Sequence, residues 1–120
     1  MLNKDNNNPA YLCGRLFAVL EKIQEDANNA HTIRERYMNA ASATPAAVFP
    51  TILNLSNHHA ENLASEGSRI FYEKLKQEIM GAMEQEFPAH LSLHDQGRFF
   101  LGYYQQRQAL FTSKKDQTND

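Results

Sequence analysis

The chain has 120 residues, a formal charge of −2 and 42% hydrophobic residues, including seven Phe and five Tyr but no Trp. That length makes one domain able to bury a core without metal or disulfide support, and the charge excludes nucleic-acid binding through the overall field. A single cysteine, Cys13, excludes an internal disulfide and reads as a reduced cytosolic thiol.

Met1 leads into the polar run LNKDNNN rather than a signal peptide, and no apolar run reaches the ~18 residues of a membrane span, so a cytoplasmic protein is expected. Residues 1–8 are expected to fray. Asn8 offers an N-cap and Pro9 a first helical residue, which predicts a helix over Pro9–Asn28. Its apolar stripe is Leu12, Leu16, Val19, Leu20, Ile23 and Ala27, with Arg15 and Lys22 on another face. Asn28-Asn29 ends it by tolerating left-handed geometry.

Thr32, with Glu35 three residues on, predicts a capping box and a short second helix to about Ala40–Ser42. It turns Ile33, Tyr37 and Met38 inward and Arg34 and Arg36 outward. Thr44-Pro45 repeats the cap-then-proline signal, and Pro50 leaves either a short turn before a new helix or one helix kinked there. Val48, Ile52, Leu55, His59 and Leu63 carry that third helix to about Ala64. A fourth helix is expected from Ser68 to Glu86 on Phe71, Leu75, Ile79 and Met83, flanked by Tyr72 and Met80. Gly81 within it points to close packing or a slight bend. Phe87-Pro88 stops it, and Ser92, with Asp95 three on, caps a fifth helix. Without alternating β-branched runs or an Asn-Gly hairpin, the fold class is all-α: a helical bundle of four long helices and one short helix over 9–112, with a mobile tail over 113–120.

No pattern makes a convincing active site. His58 and His59 point about 100° apart on a helix and do not converge on one metal, so His59 reads as a core residue and His58 as a surface one. Nothing local activates Cys13 as a nucleophile. Isolated glycines make no phosphate loop. The expectation is therefore no enzyme, no metal and no cofactor.

Charge placement says more. Glu61 to Asp95 holds seven acids against three bases, whereas Gln96 to Lys115 holds Arg98, Arg107, Lys114, Lys115 and no acid. Arg and Lys neutralise phosphates, and Gln105, Gln106 and Gln108 can bond phosphate or sugar oxygens. Tyr103 and Tyr104 are able to stack on bases, although helical spacing with Phe99, Phe100 and Leu101 favours core packing. Each cation alone is more plainly a solvated or locally paired side chain. The candidate nucleic-acid contacts are Arg34, Arg36, Arg98 and Arg107, then Arg15, Lys22, Lys74 and Lys76. Arg98 and Arg107 have a competing reading, in which acids of the fourth helix hold them.

Three strings, NPAYLCGRLFAVLEKIQEDAN (8–28), SATPAAVFPTILNLSNHH (42–59) and FPAHLSLHDQGRFFLGYYQQRQALF (87–111), together resemble the C-terminal helical domain of the large subunit of type I-C CRISPR effector complexes (Cascade). The resemblance spans about residues 8–113. A chain of this length beginning with Met1 resembles the separate small subunit of such a complex. What this implies is a non-catalytic subunit lying along the guide RNA–target DNA heteroduplex and helping hold the displaced non-target strand. The implied partners are the backbone subunits, the large subunit and another copy of the same chain, with DNA cutting left to a separate helicase-nuclease. No family motif assigns individual contact residues, so the cations above rest on charge alone. The acidic fourth helix is expected to meet a basic neighbouring subunit.

Overall fold

A computed structural model describes the backbone of residues 1–118 and the side chains of 1–112. The elements are α1 (Pro9–Asn28), α2 (Thr32–Ala43), α3 (Pro45–Ala60), α4 (Glu66–Ala82) and α5 (Leu93–Thr118), with no strand among the described residues. The all-α bundle expected from the periodicity is what forms. The expected tail over 113–120 lies outside the described side chains, although α5 itself runs on past Thr112.

The arrangement follows from α1. Between Ala10 and Leu20 its only charged residue is Arg15, and a helix that is apolar on every side has no face to give to water. Every residue from Ala10 to Gln24 is buried, and α2, α3, α4 and α5 all pack on it. The stripe expected for α1 is real but too narrow, since Tyr11, Cys13, Phe17 and Ala18 are buried as well. Phe17 is the hub of an aromatic cluster, with Phe49, Phe99 and Tyr103 at centroid distances of 6.5, 6.0 and 5.8 Å.

Contact between α1 and α5 is the most extensive in the molecule, and two glycines make it possible. A Cβ at Gly14 would lie 1.9 Å from the Phe99 carbonyl oxygen, and one at Gly102 would lie 2.2 Å from the Tyr11 carbonyl oxygen. The two backbones touch there, so only hydrogen fits. Gly81, by contrast, faces open space, so the close packing expected at it is incorrect.

Several caps differ from expectation. Asn8 accepts from the Ala10 and Tyr11 amides, and Asn29 sits at φ 52° as the left-handed end of α1. Thr32 is the first residue of α2 rather than its cap; its hydroxyl accepts from Gln24 Nε2 at 2.5 Å, so no capping box forms. Thr44 spends its hydroxyl on the Ala40 carbonyl. Pro50 lies inside one continuous α3, which resolves the alternative left open at that proline. Helix α4 starts at the Ser65 cap and ends four residues before Glu86. It buries Tyr72, Lys76 and Ile79, leaving Phe71 and Met80 exposed, so the apolar stripe read for it is rotated. Ser92 caps α5 by accepting from the Asp95 amide, as read from the sequence. Residues 1–8 fold back through Asn3, whose amide donates to the Tyr11 hydroxyl at 3.0 Å.

The glycine contact is testable by denaturant unfolding. Gly14→Ala and Gly102→Ala should each cost about 3 kcal/mol or prevent folding, because backbone atoms cannot move aside cheaply. Gly97→Ala, in open space near the start of α5, should instead stabilise by about 0.5–1 kcal/mol.

Candidate nucleic-acid interface

The eight cations picked out by charge do not form one surface. Burial of α1 on all sides removes Arg15 and Lys22 from it, which corrects their reading as candidate nucleic-acid contacts. Arg15 is 1% exposed, and its Nε donates to Gln106 Oε1 at 2.8 Å. Its Nη2 has no partner in the protein, and burial lowers its pKa against the pull of Glu78 and Tyr11. Lys22 is bonded to Asp26 at 2.8 Å, and its Nζ lies 4.5 Å from the centre of the Phe111 ring. Lys76 is 5% exposed and pairs with Glu73 at 3.1 Å.

Arg107 is the most consequential correction. It pairs with Glu21, a fully buried carboxylate of α1, and lies 3.8 Å from Glu25. The other Glu21 oxygen accepts from the Tyr103 hydroxyl at 2.5 Å. A buried carboxylate is tolerable only when its charge and both oxygens are satisfied, and α5 supplies both partners one turn apart. Burial and then Glu21 push the Tyr103 hydroxyl well above the ordinary tyrosine range, opposed by Arg107 and by Arg34 of α2. Arg98, nine residues earlier on α5, faces about 180° away and bonds Asp95 at 2.8 Å at the surface. Neither arginine pairs with α4.

The remaining cations Arg34, Arg36 and Lys74 are exposed, as are Lys4 and Arg69, which charge patterning alone did not single out. Arg34 and Arg107 both act electrostatically on Tyr103, whereas Arg98 pairs with Asp95. Lys114 and Lys115 fall outside the described side chains. Of the glutamines, Gln106 is buried on Arg15 and the Gln105 amide bonds the Tyr11 hydroxyl at 2.5 Å, leaving Gln108 outward. Tyr103 is buried, while Tyr104 is 61% exposed, so only Tyr104 presents a ring to solvent.

Sequence reasoning missed the line of polar pairs between α1 and α5: Tyr11–Gln105, Arg15–Gln106 and Glu21 with Tyr103 and Arg107. The available signal was Tyr11, Arg15 and Glu21 placed in the apolar part of α1, each needing a partner from a neighbouring helix. A parallel network, missed for the same reason, ties α4 to α1, where the Tyr72 hydroxyl donates to Asp26.

Cys13 is wholly buried, and burial pushes its thiol from 9.0 up to about 12. His59 is half-buried, and burial followed by its neighbour His58 lowers its pKa. Among the described residues no three His, Cys, Asp or Glu side chains gather into a possible metal site, and no helix is long and apolar enough to cross a membrane.

Comparison with known families matches residues 1–111 to the CRISPR-associated protein (Cas_Csd1) family. No curated protein matches the chain.

The ion pairs and the thiol each carry a measurable consequence. Arg107→Met should destabilise by about 3 kcal/mol, because it strands buried Glu21, whereas Arg98→Met at the surface should change stability by under about 0.5 kcal/mol. Urea unfolding of both variants checks this. The Cys13 pKa is raised in the fold, so its contribution is fully present below pH 9.0 and is lost as pH rises toward about 12. Cys13→Ala should therefore flatten the fall in stability between pH 9 and 10, a slope approaching about 1.4 kcal/mol per pH unit in the parent chain.

Proposed function

The chain belongs to the CRISPR-associated protein (Cas_Csd1) family, and from that premise we propose that it is a non-catalytic small subunit of an RNA-guided CRISPR surveillance complex in the cytoplasm. In this reading it bridges the backbone and large subunits along the guide RNA–target heteroduplex, beside another copy of itself, and steadies the displaced non-target strand. The family match over nearly the whole chain is the observation that carries the placement in a CRISPR complex. The all-α bundle agrees with the helical domain that the sequence resembles.

For the DNA contact, the exposed cations narrow the candidates. Arg34, Arg36, Arg98 and Lys74 reach solvent, whereas Arg15, Lys22 and Lys76 are held inside, and Arg107 anchors Glu21. Exchange of a DNA duplex for an RNA–DNA heteroduplex is nearly balanced in energy, so a few phosphate contacts are enough to tip it. A chain of net charge −2 can supply them because the assembly holds it beside the strand at high effective concentration. The competing reading is a purely structural bridge between protein subunits. The acidic stretch from Glu61 to Asp95 favours that role for the α4 side of the molecule.

Charge reversal separates the two. Arg34→Glu, Arg36→Glu and Arg98→Glu together, in the assembled complex, should weaken target-duplex binding and reduce its salt slope by about 0.7 for each single-strand phosphate that is no longer neutralised. Unchanged affinity and unchanged salt slope would leave only the bridging role. Arg107 is kept intact because removing it strands buried Glu21, and the lost stability would confound the result.

A further inference from the structure

The junction between α4 and α5 contains a built apolar pocket. Ala46 of α3, Met80 of α4 and Met83, Gln85, Glu86 and Phe87 of the following loop line a cavity of about 400 Å³. Its loop wall is fastened at one end to α3 and at the other to the last residue of α2. The Ala46 amide donates to the Pro88 carbonyl at 2.9 Å, and the Leu91 amide donates to the Ala43 carbonyl at 2.8 Å. Phe87 stacks face to face on buried Phe49 at 4.9 Å. A pocket held open in this way needs little ordering when it is filled, and that volume is enough for a large side chain. Two methionines in the lining can adjust to the shape of what enters.

The charge around the pocket is one-sided. From Gln77 to Gly97 the chain carries Glu78, Glu84, Glu86 and Asp95 and no Lys or Arg, and α3 carries neither Lys nor Arg. Glu84 and Glu86 are exposed, with Glu86 on the rim itself. Such a field repels phosphates and attracts cationic side chains.

We propose that this pocket docks a protein partner through one large apolar side chain flanked by Lys or Arg. The apolar anchor fills the space against Met80, Met83 and Phe87, and its basic neighbours lie against Glu84 and Glu86. This deepens the bridging part of the proposed function and rests on it only in taking the partner to be a protein. It assigns that partner to an acidic site separate in composition from the exposed cations of α2.

The test selects random dodecapeptides displayed on phage against the full-length protein. The enriched peptides should combine an aromatic or long aliphatic residue with adjacent Lys or Arg. Methyl labelling of methionine then locates them, because the chain has four methionines and only Met80 and Met83 line the pocket. Binding should shift those two methyl resonances and leave Met38 in place. Glu84→Lys with Glu86→Lys, both at exposed positions, should weaken binding about 10-fold or more without altering the fold. A 20-nucleotide single-stranded DNA should leave Met80 and Met83 unmoved. No enrichment, enrichment of acidic peptides, an unmoved Met80 and Met83, or affinity indifferent to the double charge reversal would each overturn the proposal. Shifts of these methyls by the oligonucleotide would overturn it in favour of a nucleic-acid site. Failure of duplex binding after charge reversal on α2 and α5 concerns other residues, so the two readings fail separately.

Discussion

The backbones of α1 and α5 meet at Gly14 and Gly102, and that contact positions the rest of the bundle. With the helices so close, Phe99 and Tyr103 enter the aromatic cluster around Phe17, and the carboxylate of Glu21 comes within reach of Tyr103 and Arg107. A wider spacing would leave Glu21 buried without its partners, which costs far more than a surface charge left unpaired. Close packing and polar pairing thus enforce the same register. A slide of one helix along the other would both collide the backbones and strand the charge.

This arrangement divides the cations into two kinds. Arg15 and Lys22 on α1, Lys76 on α4 and Arg107 on α5 are held by partners within the bundle: Gln106, Asp26, Glu73 and Glu21. Those on α2, with Arg98 and Lys74, stand at the surface, where a partner can use them. An acid-free stretch of sequence is therefore a poor guide to a cationic surface. Arg107 lies within such a stretch, yet its acid comes from 86 residues away in the chain.

The loop after α4 is acidic and apolar, and two backbone hydrogen bonds pin it, one to α3 and one to the last residue of α2. A molecule with exposed arginines on α2 and a methionine-lined acidic pocket beyond α4 suits a subunit that touches neighbours of different chemistry on different sides. That asymmetry fits the proposed bridging role, since the acidic pocket repels the phosphates that the α2 arginines attract.

The helix count, the ends of α1 and the Ser92 cap of α5 were legible in the sequence, because caps, prolines and 3.6-residue periodicity act locally. The match of three long strings to a family was legible for the same reason: it needs no fold. What only the tertiary structure decided was the fate of side chains whose partners lie far along the chain. Arg15 and Lys22 look outward on a helical wheel, but α1 is surrounded by four helices and has no outward side. Gly14 and Gly81 look alike as letters, and only the approach of α5 makes one indispensable and leaves the other in open space. The sequence by itself determined that these residues form helices with too much apolar surface on α1 to expose. Which charges then remain for a partner was set by how those helices close around it, because burial and pairing are properties of the assembled core.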